Sequence, residues 1–178
     1  LPYAQILAEF EGETETHVHT LMPSGGTGDV KYHYGTQGTR QIETEPGVKR
    51  SVRLALLPNP SHLEFINPVV LGRTRALQTS WHQPSSTTTN PTTALAIQIH
   101  GDAAFPGQGV VAETLNLQML NGYSVGGSLH LIADNQVGFT TDPIDGRSTR
   151  HCSDIAKGYD IPIIHVNADD VDACRAAV

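Results

Sequence analysis

Short apolar runs separated by polar stretches rich in Gly and Pro organise this chain. "ALAIQIH" (94–100), "SLHLIAD" (128–134) and "IPIIHVN" (161–167) are apolar almost without alternation and bounded by turn formers. Runs of that length and character predict strands of a sheet buried on both faces. "GVVAETLNLQML" (109–120) lies between the first two and predicts a helix, and a strand–helix–strand order predicts parallel pairing. The expected fold class is α/β, a largely parallel sheet flanked by helices.

The rest of the chain adds smaller elements. "VKRSVRLALLPNP" predicts a strand through Leu57, ended by Pro58 and Pro60. Ser61 and Glu64 then stand at capping-box spacing, which predicts that a helix opens at the start of "SHLEFINPVV". "YAQILAEFEG" places Ile6, Leu7 and Phe10 at helical intervals before Gly12, and residues 11–29 read as loop. "QPSSTTTNPTT" (83–93) reads as a flexible, solvated polar loop. The chain opens on Leu1 rather than Met and closes inside a helical pattern, "DDVDACRAAV". Residues 1–178 are therefore expected to be a single, partial domain cut at both ends.

Composition narrows the function classes. At 178 residues the chain is long enough to bury a core. No run approaches the roughly 18 apolar residues that a membrane helix needs. The net charge is -7 and the 11 Lys and Arg are scattered, which argues against a nucleic-acid partner. Cys152 and Cys174 have neither metal-ligand spacing nor a disulfide framework.

The candidate chemistry sits at two strand ends. In open parallel sheets, ligands bind beyond the carboxyl ends of the strands. Asp102 follows "AIQIHG" and Asn135 follows "LHLIAD", so a carboxylate and an amide should emerge at one edge. A hard divalent cation takes such oxygen donors together with carbonyl and phosphate oxygens. The small residues of "AAFPGQG" precede a helix, and their N–H groups suit an anionic diphosphate. Taken alone, Asp102 reads more readily as a helix N-cap than as a metal ligand; its pairing with Asn135 in this topology favours the metal.

Those residues also carry a resemblance. Asp102 to Asn135 is similar to the thiamine diphosphate signature, Gly-Asp-Gly followed about thirty residues later by Asn-Asn. With "GDVKYH", "LPNPSHLE", "NPVV", "HGDAAFPGQGVVAETLN", "GYSVGGSLHLI", "NQVGFTTDP", "GRST", "CSDIAK" and "IIHVNADD", the chain from about Ala4 to Val178 resembles the decarboxylating first components of 2-oxoglutarate dehydrogenase complexes. The resemblance implies a thiamine diphosphate-binding domain of the diphosphate type. It implies Mg²⁺ held by the side chains of Asp102 and Asn135 and the backbone carbonyl of Val137, with N–H groups of Ala103 and Ala104 on the diphosphate. Ser61, His62 and Leu63 would lie along the cofactor, and His33 and His62 would be the catalytic histidines. His62 has a plainer alternative, support of the turn after Pro60.

The same resemblance implies oxidative decarboxylation of 2-oxoglutarate or a close 2-oxo acid such as 2-oxoadipate. The succinyl group would pass to a lipoyl-bearing succinyltransferase, in the tricarboxylic acid cycle, from a homodimer. The expected compartment is the cytoplasm of a bacterium or the mitochondrial matrix of a eukaryote. The family's activating Glu belongs to a second α/β domain, and Glu113 on this domain's helix is no substitute for it. Two positions depart from the signature: Ala103 stands for its second Gly and Asp134 for its first Asn. A module that keeps the fold without cofactor is the competing expectation from another class.

Nine histidines invite further assignments. His17 and His19 read as a chance pair, His130 and His165 as satisfied strand residues, and His100 as a support behind the cofactor. His82 and His151 carry no assignment.

Overall fold

The computed structural model describes residues 35–83 and 86–178. The helix expected near the start, the loop to residue 29 and His33 lie outside the described residues. The chain divides into two compact units, Leu1–Ile66 and Asn67–Val178, where the sequence suggests one domain.

In the first unit, β1 (Thr36–Glu45) pairs antiparallel with β2 (Val48–Leu56), Thr36 standing opposite Leu56. β1, "TQGTRQIETE", is polar at nearly every position, so no apolar alternation announces it. Its cue is the Pro46-Gly47 dipeptide, a turn former. Gly47 adopts a φ of 82°, and its N–H donates to Glu43 Oε1 at 2.8 Å. The two strands satisfy each other's backbones along the ladder. The expected helix does not open at Ser61: residues 61–66 form turns and the helix starts at Asn67. Glu64 has a φ of 69°, in the left-handed region that a right-handed helical turn excludes.

The second unit begins with α1 (Asn67–Gln78) and runs directly into β3 (Thr79–Gln83). β4 (Ser86–Thr89) pairs antiparallel with β3, and Pro91–Thr93 form a 3₁₀ turn capped by Asn90, whose Oδ1 accepts the Thr92 N–H at 3.1 Å. The expected flexible loop over 83–93 is thus a hairpin arm and a turn. Consecutive threonines are β-branched and favour a pleated strand even where the composition is of low complexity. Gln78, buried at the end of α1, holds this region to the sheet. Its Nε2 donates to the carbonyls of Pro91, Ala94 and Val125 at 3.2, 2.8 and 3.0 Å.

β5 (Ala96–Gly101) and β6 (Ser128–Ala133) pair in parallel, Ala96 opposite Ser128 through Gly101 opposite Ala133. The crossover contains α2 (Ala104–Gly107) and α3 (Gly109–Asn116), shorter than the single helix expected. Phe105, Val111 and Leu115 form the core, with Ile132, Ile155, Tyr159 and Ile161 packed around it. A 3₁₀ segment (Cys152–Tyr159) and α4 (Val171–Ala177), capped by Asp170, follow.

Two strand expectations are corrected. β5 is buried on one face only: Ala96, Gln98 and His100 point inward, while Ile97 and Ile99 are 51% and 69% exposed. Among the described residues the sheet has two strands, and nothing covers their second face. "IPIIHVN" forms no strand. A strand exists only through its ladder, and this segment pairs with neither β5 nor β6, while Pro162 has no N–H to offer. Its His165 is exposed and rests on His151, with ring centroids 4.1 Å apart.

Candidate cation site

β5 ends at Gly101, and the next side chain, Asp102, is only 2% exposed. A carboxylate at that depth needs compensation. Asp102 has two partners. Oδ1 accepts the backbone N–H of Gln136 at 3.1 Å, and Oδ2 accepts Arg147 Nη1 at 3.0 Å. The second Arg147 nitrogen, Nη2, lies 3.5 Å from Asp134 Oδ2. One guanidinium therefore bridges the acid after β5 and the acid after β6.

The loop after β6 is shaped to meet that acid. Asn135 Oδ1 accepts the N–H of Val137 at 3.0 Å, an Asx turn that leaves Gln136 at a φ of 60°. The turn aims the Gln136 N–H at Asp102. A Cβ added at Gly138 would approach the Cβ of Ala103 to 3.2 Å, so the loop also lies close on the turn after β5. Gly138 bridges onward to Thr141. Asp102, Ala103, Asn135 and Val137 are thus gathered at the carboxyl edge of the parallel pair, and Ala104 opens α2 beside them. Ser61, His62 and Leu63 lie in the turns of the first unit; all three are exposed, and His62 meets Phe65 edge-on at 5.6 Å.

The donor chemistry fits a hard divalent cation. Each Asp102 oxygen accepts one hydrogen bond and keeps a second lone pair, as does the Asn135 amide oxygen. No group of three or more His, Cys, Asp or Glu that could hold a metal exists among the described residues, so a cation here relies on amide and carbonyl oxygens as well. A depression of about 350 Å³, lined by residues including Pro91, Leu95 and Gly126, lies at the opposite, amino-terminal edge of the pair.

Behind the site, His100 is buried and its Nε2 lies 2.9 Å from His130 Nδ1, with the rings nearly parallel. His130 Nε2 in turn lies 3.0 Å from Ser128 Oγ. This side-chain link joins β5 to β6 just below the site. The Cys152 thiol, 3.9 Å from Asp134 Oδ2, is buried. Burial first, and then the negative charge of Asp134, push its pKa up, while Arg147 pulls the other way.

Arg147 is the member that the sequence did not reveal. It stands in "GRST", a stretch conspicuous only as part of the family resemblance. Two acids at adjacent strand ends, one of them deeply buried, are the signal that a cation must come from elsewhere in the chain.

The sequence pattern of the family described as "Dehydrogenase E1 component" matches residues 5–178. The 2-oxoglutarate dehydrogenase E1 component of Bacillus subtilis is 51% identical over 185 residues, covering 99% of this chain and 19% of the relative. The protein of the same name from Geobacillus kaustophilus is 50% identical over 181 residues, with the same coverage. That of an Exiguobacterium species is 51% identical over 183 residues, covering 98% of this chain and 18% of the relative. The chain spans about a fifth of the length of these curated relatives.

Proposed function

Since the chain belongs to the dehydrogenase E1 component family, we propose that it is the cation- and diphosphate-anchoring part of a thiamine diphosphate-dependent 2-oxoglutarate dehydrogenase. The observation that carries the reading is the buried Asp102 carboxylate at the end of β5, with the Asn135–Gly138 loop folded onto it. Asp102 and Asn135 offer side-chain oxygens and Val137 a backbone carbonyl to Mg²⁺. Ala103 and Ala104, at the start of α2, offer N–H groups to the diphosphate. Ser61, His62 and Leu63 line the cofactor, and His33 and His62 act on the substrate.

The division of labour follows from chemistry. The bound cofactor supplies the electron sink for decarboxylation. The chain's residues anchor and orient it. The Gln136 N–H holds Asp102 Oδ1, so the orientation of the carboxylate is set before a cation binds. His33 and His62 suit the remaining tasks, holding the substrate's carboxylate and moving a proton near neutral pH. The relatives are 2-oxoglutarate dehydrogenase E1 components, which supports 2-oxoglutarate as the substrate over 2-oxoadipate. A lipoyl-bearing succinyltransferase accepts the acyl group, and the working enzyme is a homodimer. The relatives are bacterial, which supports a cytoplasmic setting. No helix among the described residues is long and apolar enough to cross a membrane.

Calorimetric titration of the full-length protein with thiamine diphosphate and Mg²⁺ tests the anchor, alongside steady-state rates on both 2-oxo acids. Saturable binding that Asp102→Ala abolishes, with preference for 2-oxoglutarate, is the expected result. Unchanged binding in Asp102→Ala refutes the anchor, and a preference for 2-oxoadipate refutes the substrate.

A further inference from the structure

Arg147 holds the lone pair of Asp102 that faces away from the backbone bond, and it does so with most of its own side chain buried. The Arg147 side chain is 15% exposed, the Asp102 side chain 3% and the Asp134 side chain 40%. The arrangement is asymmetric: 3.0 Å to the deep acid, 3.5 Å to the shallower one. Granted the reading of Asp102 as a cation ligand, a divalent ion and this guanidinium compete for one carboxylate. Their mutual repulsion is poorly screened at this depth. A second acid already within reach of the same guanidinium removes the need to expel it.

We propose that Arg147 is the counter-ion of Asp102 in the cation-free protein, and that a divalent cation enters by exchange with it. The guanidinium gives up Asp102 Oδ2 and closes on Asp134. Asp102 thereby never stands as an uncompensated buried charge, an otherwise costly state. Asp134 has a purpose in this exchange: a carboxylate receives the displaced guanidinium where a neutral amide would only accept a hydrogen bond. A small side-chain swing suffices, since both acids already touch the fork.

Mn²⁺ binding to the full-length protein, read from the electron spin resonance of the free ion, tests the exchange. Arg147→Gln removes the competing charge and is expected to tighten Mn²⁺ binding about tenfold, a modest share of the repulsion between two close charges near a protein surface. Asp134→Asn removes the receiving acid and is expected to weaken binding, but to have no effect in the Arg147→Gln background. Weaker or unchanged binding in Arg147→Gln overturns the exchange, as does an Asp134→Asn effect that persists in both backgrounds. Should Arg147→Gln not fold, Arg147→Lys keeps the charge but loses the fork and is expected to tighten binding less; no tightening again overturns it. Asp102→Ala separates the two levels. If Mn²⁺ binding survives that change, the cation site itself is misread and the exchange falls with it.

Discussion

The backbone N–H of Gln136 donates to Asp102 Oδ1 at 3.1 Å, tying the end of β6 to the end of β5 across 34 residues of sequence. The bond depends on an unusual backbone. Gln136 sits at a φ of 60°, held there by the Asx turn that Asn135 makes to Val137. The proposed anchor is therefore built from main-chain geometry as much as from side chains.

A β-branched residue at position 136 should oppose that geometry. Gln already carries the Cβ penalty of left-handed backbone, and Gln136→Val adds the crowding of a branched Cβ, an expected further cost on the order of 1 kcal/mol. Gln136→Gly should retain the bond. Urea unfolding of both variants in the full-length protein measures the difference, and equal loss in the two would mean that the backbone conformation does not matter.

Gln78 bonds three carbonyls with one nitrogen. Gln78→Leu fills the same space and strands those acceptors, an expected loss of about 2–4 kcal/mol given what each unsatisfied buried group costs. Thermal unfolding reports it. A change below about 0.5 kcal/mol, within the usual range of a surface substitution, would show that water replaces the amide.

Gly126 combines a φ of 78° with a position where an added Cβ would come within 2.5 Å of Pro91 Cβ. Gly126→Ala must move either the turn into β6 or the 3₁₀ turn before β5. The expected cost is about 1–3 kcal/mol, typical of overpacking, seen as a lowered Tm. Gly122→Ala, which meets nothing within 4 Å, is the control.

The two thiols should differ in reactivity. Burial and the neighbouring Asp134 hold the Cys152 thiol above its ordinary pKa, and the thiolate is the reacting form. At pH 8, iodoacetamide should label Cys174 well before Cys152, as read by mass spectrometry of the native protein. The sign for stability follows. A raised folded-state pKa contributes stability below the unfolded value, and that contribution is lost as pH rises through the folded one. Asp134→Asn removes a cause of the shift and should speed labelling of Cys152. Slower labelling would contradict the assigned cause.

Much of this was legible in the sequence where physics acts locally. The apolar runs that became β5 and β6, the turn formers between them and the helical pattern that became α4 all declare themselves over a few residues. The placement of Asp102 and Asn135 at one edge also follows from sequence, because parallel order puts both strand ends on the same side. β1 did not declare itself, since its polar side chains carry no alternation and only its partner makes it a strand. "IPIIHVN" misled for the converse reason: apolar content suits a strand, but without a ladder there is none. Arg147 became part of the site only in three dimensions, 45 residues from Asp102. The sequence by itself determined that an acid follows each strand and that either one, if folding buries it, must be neutralised, because a buried carboxylate needs a partner. Which cation does so was decided by the tertiary structure, since Coulomb attraction depends on distance in space and not on separation along the chain.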